Sequence, residues 1–95
     1  MNDDLVRTWS VSYSIDAAKE LRKLNKRDPV NARLIRNALL AVAATGNPRS
    51  RGKALTGKRA GQWLYRVGDW RAIVDIQDQL LVIRALEIGH RSNVY

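Results

Sequence analysis

Two arginines flank the turn of a predicted β-hairpin. The segment GQWLYRVGDWRAIVDI, residues 61–76, has Gly68-Asp69 at its centre. This order suits a two-residue type II′ turn, because glycine at the first central position adopts positive φ freely. Such a turn would place Arg66 directly opposite Arg71. Like charges placed opposite each other are unfavourable in a sheet, so the pair predicts a surface that binds an anion.

The region around this pair holds most of the chain's positive charge. The 95 residues have a formal net charge of +8 and a pI of about 10.6. Residues 49–71 carry seven arginines and lysines against one aspartate, which is a net +6. Charge concentrated in this way predicts a phosphate-binding surface, with nucleic acid or an acidic protein as the partner. The seven cations are Arg49, Arg51, Lys53, Lys58, Arg59, Arg66 and Arg71.

A plainer interpretation of the arginines stays open. Surface arginines are commonly only solvated, and exposed ion pairs contribute little. Asp75 lies farther along the predicted face of Arg71 and would neutralise one of the two charges. Charge alone predicts binding of a polyanion and does not say whether the partner is cleaved.

The elements that must position these side chains begin with a strand and two helices. TWSVSYSI, residues 8–15, alternates apolar and polar residues, which predicts a strand with one buried face. Asp16 is the predicted N-cap of a first helix. Asp28 and Pro29 are expected at the start of a second helix, which ends at the Gly- and Pro-containing loop 45–52.

The second half of the chain predicts three antiparallel strands. Residues 63–76 form the hairpin, and LLVIRALEI, residues 80–88, is apolar on both sides as in a central strand. We therefore expect an α+β fold in one domain, residues 1–95: an N-terminal strand, a two-helix hairpin and an antiparallel meander. The helices should pack on the face that carries Trp63, Tyr65 and Trp70, leaving the opposite face partly open.

Composition excludes several classes of protein. The chain is 45% apolar and 27% charged, which is typical of a globular domain. It has no cysteine and one histidine, so we expect neither a disulfide framework nor a metal site, and no cofactor. The longest apolar run, residues 38–44, is too short to span a membrane. No apolar signal region begins the sequence, and a cytoplasmic protein is expected.

The hairpin and the C-terminal residues also carry a family resemblance. KALTGKRAGQWLYRVGDWRAIVDI followed by LEIGHRSNVY resembles the RelE/ParE toxin superfamily of bacterial toxin–antitoxin systems, and more closely its RelE-like branch. The similarity extends over nearly the whole chain. Its most specific parts are RVGDWR in the hairpin and IGHRSNVY at the C-terminus.

The resemblance implies a type II toxin with a specific reaction. RelE-like toxins enter the ribosomal A site and cut mRNA there, which inhibits translation. The implied enzyme is a metal-independent endoribonuclease in which the 2′-hydroxyl of the mRNA attacks the neighbouring phosphate. This reaction needs a base for the 2′-hydroxyl, cations for the charge on the phosphate and an acid for the departing 5′ oxygen.

The resemblance also implies a set of catalytic residues. Arg71 matches the hairpin arginine and is assigned to phosphate stabilisation, for which a planar guanidinium is well suited. Arg91 is expected to take the same role or that of the acid. Tyr95 is expected to stack on the substrate nucleotide or to exchange a proton with it. His90 is an acid or base candidate, or a turn residue that only forms hydrogen bonds.

The expected RNA-binding residues are Arg66, Lys53, Lys58 and Arg59. The match departs from the family where lysines often precede the hairpin, because Gln62 and Leu64 occupy these positions. Lys53, Lys58 or Arg59 are the possible substitutes, and the general base is not identified. Glu87, three residues before His90, suggests a glutamate–histidine pair or simply the polar side of a strand.

Two other functions stay open. One is a ParE-like toxin that inhibits gyrase and cuts no RNA; the other is a basic nucleic-acid-binding module without activity. In either toxin class the expected partner is an acidic antitoxin whose flexible segment covers the basic surface. The ribosome and mRNA are the further partners of a RelE-like enzyme, and no membrane is involved.

Overall fold

The computed structural model describes residues 8–93, which form two helices and a five-stranded sheet. The strand order is β1-β5-β4-β3-β2, with β1 parallel to β5 and the other pairs antiparallel. The predicted α+β fold is confirmed. Within these residues no helix is long and apolar enough to cross a membrane. The elements are β1 (Ser10–Tyr13), α1 (Ile15–Arg27), α2 (Pro29–Ala44), β2 (Lys53–Ala54), a 3₁₀ turn (Gly57–Arg59), β3 (Trp63–Val67), β4 (Trp70–Gln77) and β5 (Val82–His90).

The first helix begins two residues earlier than predicted. The hydroxyl of Ser14 accepts a hydrogen bond from the amide of Ala17 at 3.0 Å, which makes Ser14 the N-cap and corrects the assignment to Asp16. Asp16 lies in the first turn, where a negative charge interacts favourably with the helix dipole. Ile15 is the first helical residue and 84% exposed, so it is not part of the buried strand face.

The second helix begins where the sequence predicted. Asp28 is the N-cap and its carboxylate accepts from the amide and the side-chain amide of Asn31, at 3.2 and 2.6 Å. Pro29 follows in the first turn. Hydrogen bonds from Asn31 lower the pKa of Asp28 below its usual value, because they stabilise the ionised carboxylate.

The two helices cover one face of the sheet and form the main core. Side chains from both helices pack against Tyr65 of β3, Ala72 and Val74 of β4, and apolar residues of β5. Between Ile73 and Val74 the pairing with β5 shifts by one residue. This bulge turns Ile83, Ala85 and Ile88 all toward the helices, which explains why the β5 sequence shows no simple alternation.

The hairpin has the predicted register. Gly68 has φ of 60°, and Asp69 has no positive φ, as a type II′ turn requires. Val67 lies opposite Trp70, and Arg66 lies opposite Arg71. Because Trp70 packs against the helix-side core, alternation along the strands directs both arginines to the opposite face.

A short strand that the sequence did not reveal lengthens the sheet. Lys53 and Ala54 form β2 and pair with Leu64 and Trp63 of β3. Gly52, with φ of 78°, precedes it; a Cβ atom at Gly52 would collide with the carbonyl oxygen of Leu64. Glycine is therefore required where the chain joins the sheet edge.

Candidate nucleic-acid interface

The face of the sheet that points away from the helices, called the open face below, combines a small apolar cluster with several charged groups. Leu55, Leu64 and Ile73 form the buried cluster. Leu55 comes from the segment after β2, so this segment folds partly over the face. Strand register and alternation place six charged side chains on this face: Lys53, Arg66, Arg71, Asp75, Arg84 and Glu87.

Arg66 and Arg71 lie side by side on the open face with no carboxylate bound to either among residues 8–93. On the other side of Arg71, the opposite residue of β5 is Gly89, which has no side chain. Asp75 does not neutralise the pair; its carboxylate accepts from the side-chain amide of Gln77 at 3.1 Å. The two guanidinium groups are therefore available to a phosphate.

Lys53 joins this pair through strand β2. It lies opposite Leu64, and together with Gly52 and Arg66 these residues line a hollow of about 260 Å³. A lysine is thus present next to the hairpin, although on the neighbouring strand and not on β3. Leu64 itself is fully buried and serves the apolar cluster.

The 3₁₀ turn places Arg59 over the open face. Its guanidinium donates to the carboxylate of Glu87 at 2.6 Å and to the side-chain oxygen of Gln62 at 3.3 Å. Lys58, on the same turn, is exposed and forms no ion pair with a described residue. Of the two, Lys58 is free to meet a ligand, whereas Arg59 is occupied by Glu87.

The basic loop before β2 is fixed to the sheet by three contacts. Arg49 forms a double hydrogen bond with Asp78, at 2.9 Å for each oxygen. This contact lowers the pKa of Asp78, because it stabilises the carboxylate. The indole of Trp63 donates to the carbonyl of Arg51 at 2.7 Å, and the hydroxyl of Tyr65 donates to the carbonyl of Pro48. The charge of Arg49 is therefore used within the fold.

His90 lies on the other face of the sheet from Arg71. Its ring meets Trp70 edge-on, with 5.5 Å between the ring centres and 88° between the planes. Its Nδ1 lies 3.0 Å from the hydroxyl of Ser92. The structure therefore does not bring His90 together with the arginine pair, nor with Glu87, whose carboxylate is bound to Arg59 over the open face.

Arg91 lies beside the hairpin turn. Its amide donates to the carbonyl of Asp69 at 2.8 Å, and its guanidinium lies 3.8 Å from the carboxylate of the same residue. Both side chains are exposed, so this ion pair is weak. Arg91 is thus held at the end of the sheet where Arg66 and Arg71 lie. Tyr95 falls outside the described residues.

This arrangement can neutralise phosphate charge. Arginine and lysine side chains bind phosphate oxygens through charged hydrogen bonds that remain at neutral pH. In residues 8–93, no three His, Asp and Glu side chains gather closely enough to hold a metal ion. Among the described strands, the carboxylates on this face are Glu87, in its contact with Arg59, and Asp75, in its contact with Gln77; both are candidate bases.

Solved structures of bacterial toxins share this fold. A chain of the toxin–antitoxin complex RelBE2 from Mycobacterium tuberculosis is 26% identical, with a TM-score of 0.66 over 90% of this chain and 94% of that chain. A mutant of the E. coli toxin RelE in the free state is 19% identical, with a TM-score of 0.70 over 88% of this chain and 84% of that chain. YoeB from Staphylococcus aureus is 15% identical, with a TM-score of 0.70 over 88% and 98%.

Sequence comparison gives the family. A search among curated proteins found no significant match. The family model of the ParE toxin of type II toxin–antitoxin systems matches residues 11–95, which is most of the chain. The chain therefore belongs to the ParE toxin family of type II toxin–antitoxin systems, within the RelE/ParE superfamily.

Proposed function

We propose that this toxin is a ribosome-dependent endoribonuclease that cuts mRNA in the A site. The observation that carries the proposal is the pairing of Arg66 with Arg71 on the open face, with no described carboxylate bound to either. Two cations held opposite each other repel in the free protein. A phosphate between them removes this repulsion and gains charged hydrogen bonds.

The cations supply the electrostatic part of the reaction. When the 2′-hydroxyl of the mRNA attacks, negative charge grows on the phosphate oxygens, and fixed cations stabilise that charge more than they stabilise the ground state. Arg71 takes this role, and Arg91, held beside the turn, is the second cation. Arg66, Lys53 and Lys58 bind the RNA backbone. Tyr95 stacks on the substrate nucleotide.

An acidic antitoxin is the proposed protein partner. The M. tuberculosis relative was solved as a toxin–antitoxin complex, and a YoeB–YefM complex from S. aureus also shares the fold. For this chain, a flexible acidic segment laid across Arg66 and Arg71 would satisfy both charges and block access of RNA. If the toxin–antitoxin complex bound RNA as tightly as the free toxin does, this inhibitory role would be contradicted.

Primer extension on programmed ribosomes tests the reaction. Wild-type toxin is expected to cut a defined mRNA at the A-site codon only when ribosomes are present. Arg71→Ala is expected to reduce the cleavage rate about 100- to 1,000-fold, as for loss of one charge-stabilising donor. The control is Arg33→Ala, which removes an exposed helical arginine and should cleave at the wild-type rate. Intact mRNA with the wild-type toxin would overturn the proposal.

The chain matches the family model of the ParE toxin, and this match favours a second candidate function, that of a ParE-like toxin directed at gyrase. In that case the basic surface would contact the topoisomerase or its DNA, and Arg71 would not act on RNA. A supercoiling assay with purified gyrase separates the two. Loss of supercoiling at toxin concentrations that leave mRNA intact would establish the gyrase-directed toxin, whereas mRNA cleavage with normal supercoiling would establish the ribonuclease.

A further inference from the structure

We infer that Glu87 is the general base for the 2′-hydroxyl, and that Arg59 masks it in the free protein until an RNA phosphate binds Arg59 instead. This inference rests on the proposed ribonuclease function and names a catalytic residue for it. It follows from three features of the open face: the position of Glu87, the nature of its contact with Arg59, and the chemistry of RNA cleavage.

Glu87 is the carboxylate placed closest to the arginine pair on the described strands. It lies opposite Ile73, and Gly89, two residues farther along β5, lies opposite Arg71. Glu87 and Arg71 are thus diagonal neighbours on one face, a separation of about 7–8 Å that long side chains bridge. Asp75, the other carboxylate of this face, lies four residues from Arg71, or about 13 Å along the strand.

The ion pair between Arg59 and Glu87 is of a kind that a ligand can break. The two side chains are 31% and 43% exposed and meet at 2.6 Å. Solvent weakens ion pairs of this kind, and a phosphate offers a guanidinium two oxygens in the same geometry. The backbone of the segment is held separately by Leu55 in the buried cluster. Arg59 can therefore change partner by side-chain rotation alone.

Binding of RNA would then complete the site. Arg59 binds a backbone phosphate, and the freed carboxylate of Glu87 takes the proton of the 2′-hydroxyl. A bond forms between O2′ and phosphorus as the bond from phosphorus to O5′ breaks. The departing 5′ oxygen takes up a proton from water, and the hydroxide that remains takes the proton back from Glu87. The products are a 2′,3′-cyclic phosphate and a 5′-hydroxyl, and no oxidant, reductant or metal enters the balance.

Single-turnover cleavage on programmed ribosomes tests the inference with three matched variants. Glu87→Gln is expected to lower the rate at saturating toxin about 100- to 10,000-fold, the usual contribution of a general base. It is also expected to lower the half-saturating concentration, because RNA no longer has to displace a carboxylate from Arg59. Arg59→Ala is expected to raise the half-saturating concentration and to retain the saturating rate. Asp75→Asn, which changes a carboxylate of the same face, is expected to match wild type in both.

The comparison between variants separates a base from a structural contact. Glu87→Gln and Arg59→Ala both break the ion pair, so equal effects on the saturating rate would overturn the inference. Glu87→Asp keeps a carboxylate and should recover part of the rate; melting curves of all variants verify folding. Wild-type cleavage together with full activity of Glu87→Gln would overturn the role of Glu87 alone. Absence of cleavage by wild type would overturn the proposed function and this inference together.

Discussion

The two faces of the sheet take alternate residues of the same strands and put them to different uses. On β4, Ala72 and Val74 are fully buried beneath the helices, whereas Arg71, between the turn and Ala72, faces the other way. On β3, Tyr65 joins the helix-side core and Arg66 is exposed. The helix side therefore holds the fold together, and the open face tolerates an unfavourable charge pair.

The ion pairs also divide the cations into two groups, those with a carboxylate partner and those without. Arg49 of the loop and Arg59 of the 3₁₀ turn have carboxylate partners that fix these segments. Arg66, Arg71 and Lys53 have none among the described residues. Positive charge close to the hairpin is thus divided between cations paired within the fold and cations that have no carboxylate partner in residues 8–93.

The largest expected effect is a loss of stability on the helix side. Leu39 is fully buried in the main core, and Leu39→Ala is expected to lower the free energy of unfolding by about 2–5 kcal/mol. Urea denaturation measures this change. Cleavage per folded molecule should stay at the wild-type level under native conditions. A strong fall in the activity of the folded variant would contradict the view that the helix side contributes only to stability.

A smaller expected effect is a change of folding stability at alkaline pH, which comes from Tyr65 on the helix side. Burial raises the pKa of Tyr65 to about 12, and Arg49 partly opposes the shift. Because the folded pKa exceeds the unfolded value of about 10, the stabilisation from neutral Tyr65 is complete below pH ~10 and is lost toward pH ~12. Tyr65→Phe removes the bond to Pro48 and should cost about 0.5–1.5 kcal/mol at pH 8.

The pH series provides the sharper part of this test. The stability difference between wild type and Tyr65→Phe should shrink as the pH rises through this range, since only the wild type carries the buried phenol. Denaturation curves from pH 8 to pH 12 measure it. A constant difference would show that Tyr65 does not ionise on unfolding in the expected way.

The smallest expected effect is a gain of stability, and it comes from a change on the open face. Arg66→Gln removes the opposed charge and should raise stability by about 0.2–1 kcal/mol. It should also weaken RNA binding and reduce the salt slope of the binding constant by about one. Arg33→Gln, an equal change of charge on α2, is the control and should leave stability near the wild-type value. A loss of stability in Arg66→Gln would contradict charge repulsion in the free protein.

The sequence was sufficient for most of the fold because the controlling signals are local. Period-2 alternation and the glycine of the turn determine the hairpin register, and hence the pairing of Arg66 with Arg71. The start of α1 was predicted wrongly, because Ser14 and Asp16 are both good capping residues and only the tertiary contact of the Ser14 hydroxyl with the Leu86 carbonyl, at 2.9 Å, distinguishes them.

The site was harder to predict from the sequence, because its contacts join segments that are far apart in the chain. β2 has only two residues, too few for a periodic pattern, so the position of Lys53 beside Arg66 could not be predicted. The contact of Arg59 with Glu87 spans 28 residues. His90 is the last residue of β5, whose bulge changes which face each residue occupies, so simple alternation across the bulge gives the wrong face.

The most direct test of the central claim compares cleavage after equal losses of charge from the two sides. One variant carries Arg66→Gln and Arg71→Gln on the open face, and the other carries Arg22→Gln and Arg33→Gln on the helices. Primer extension on programmed ribosomes measures both rates. The account predicts that the open-face variant loses A-site cleavage and the helix variant retains it. Equal losses, or a larger loss from the helices, would show that the open face is not the functional surface.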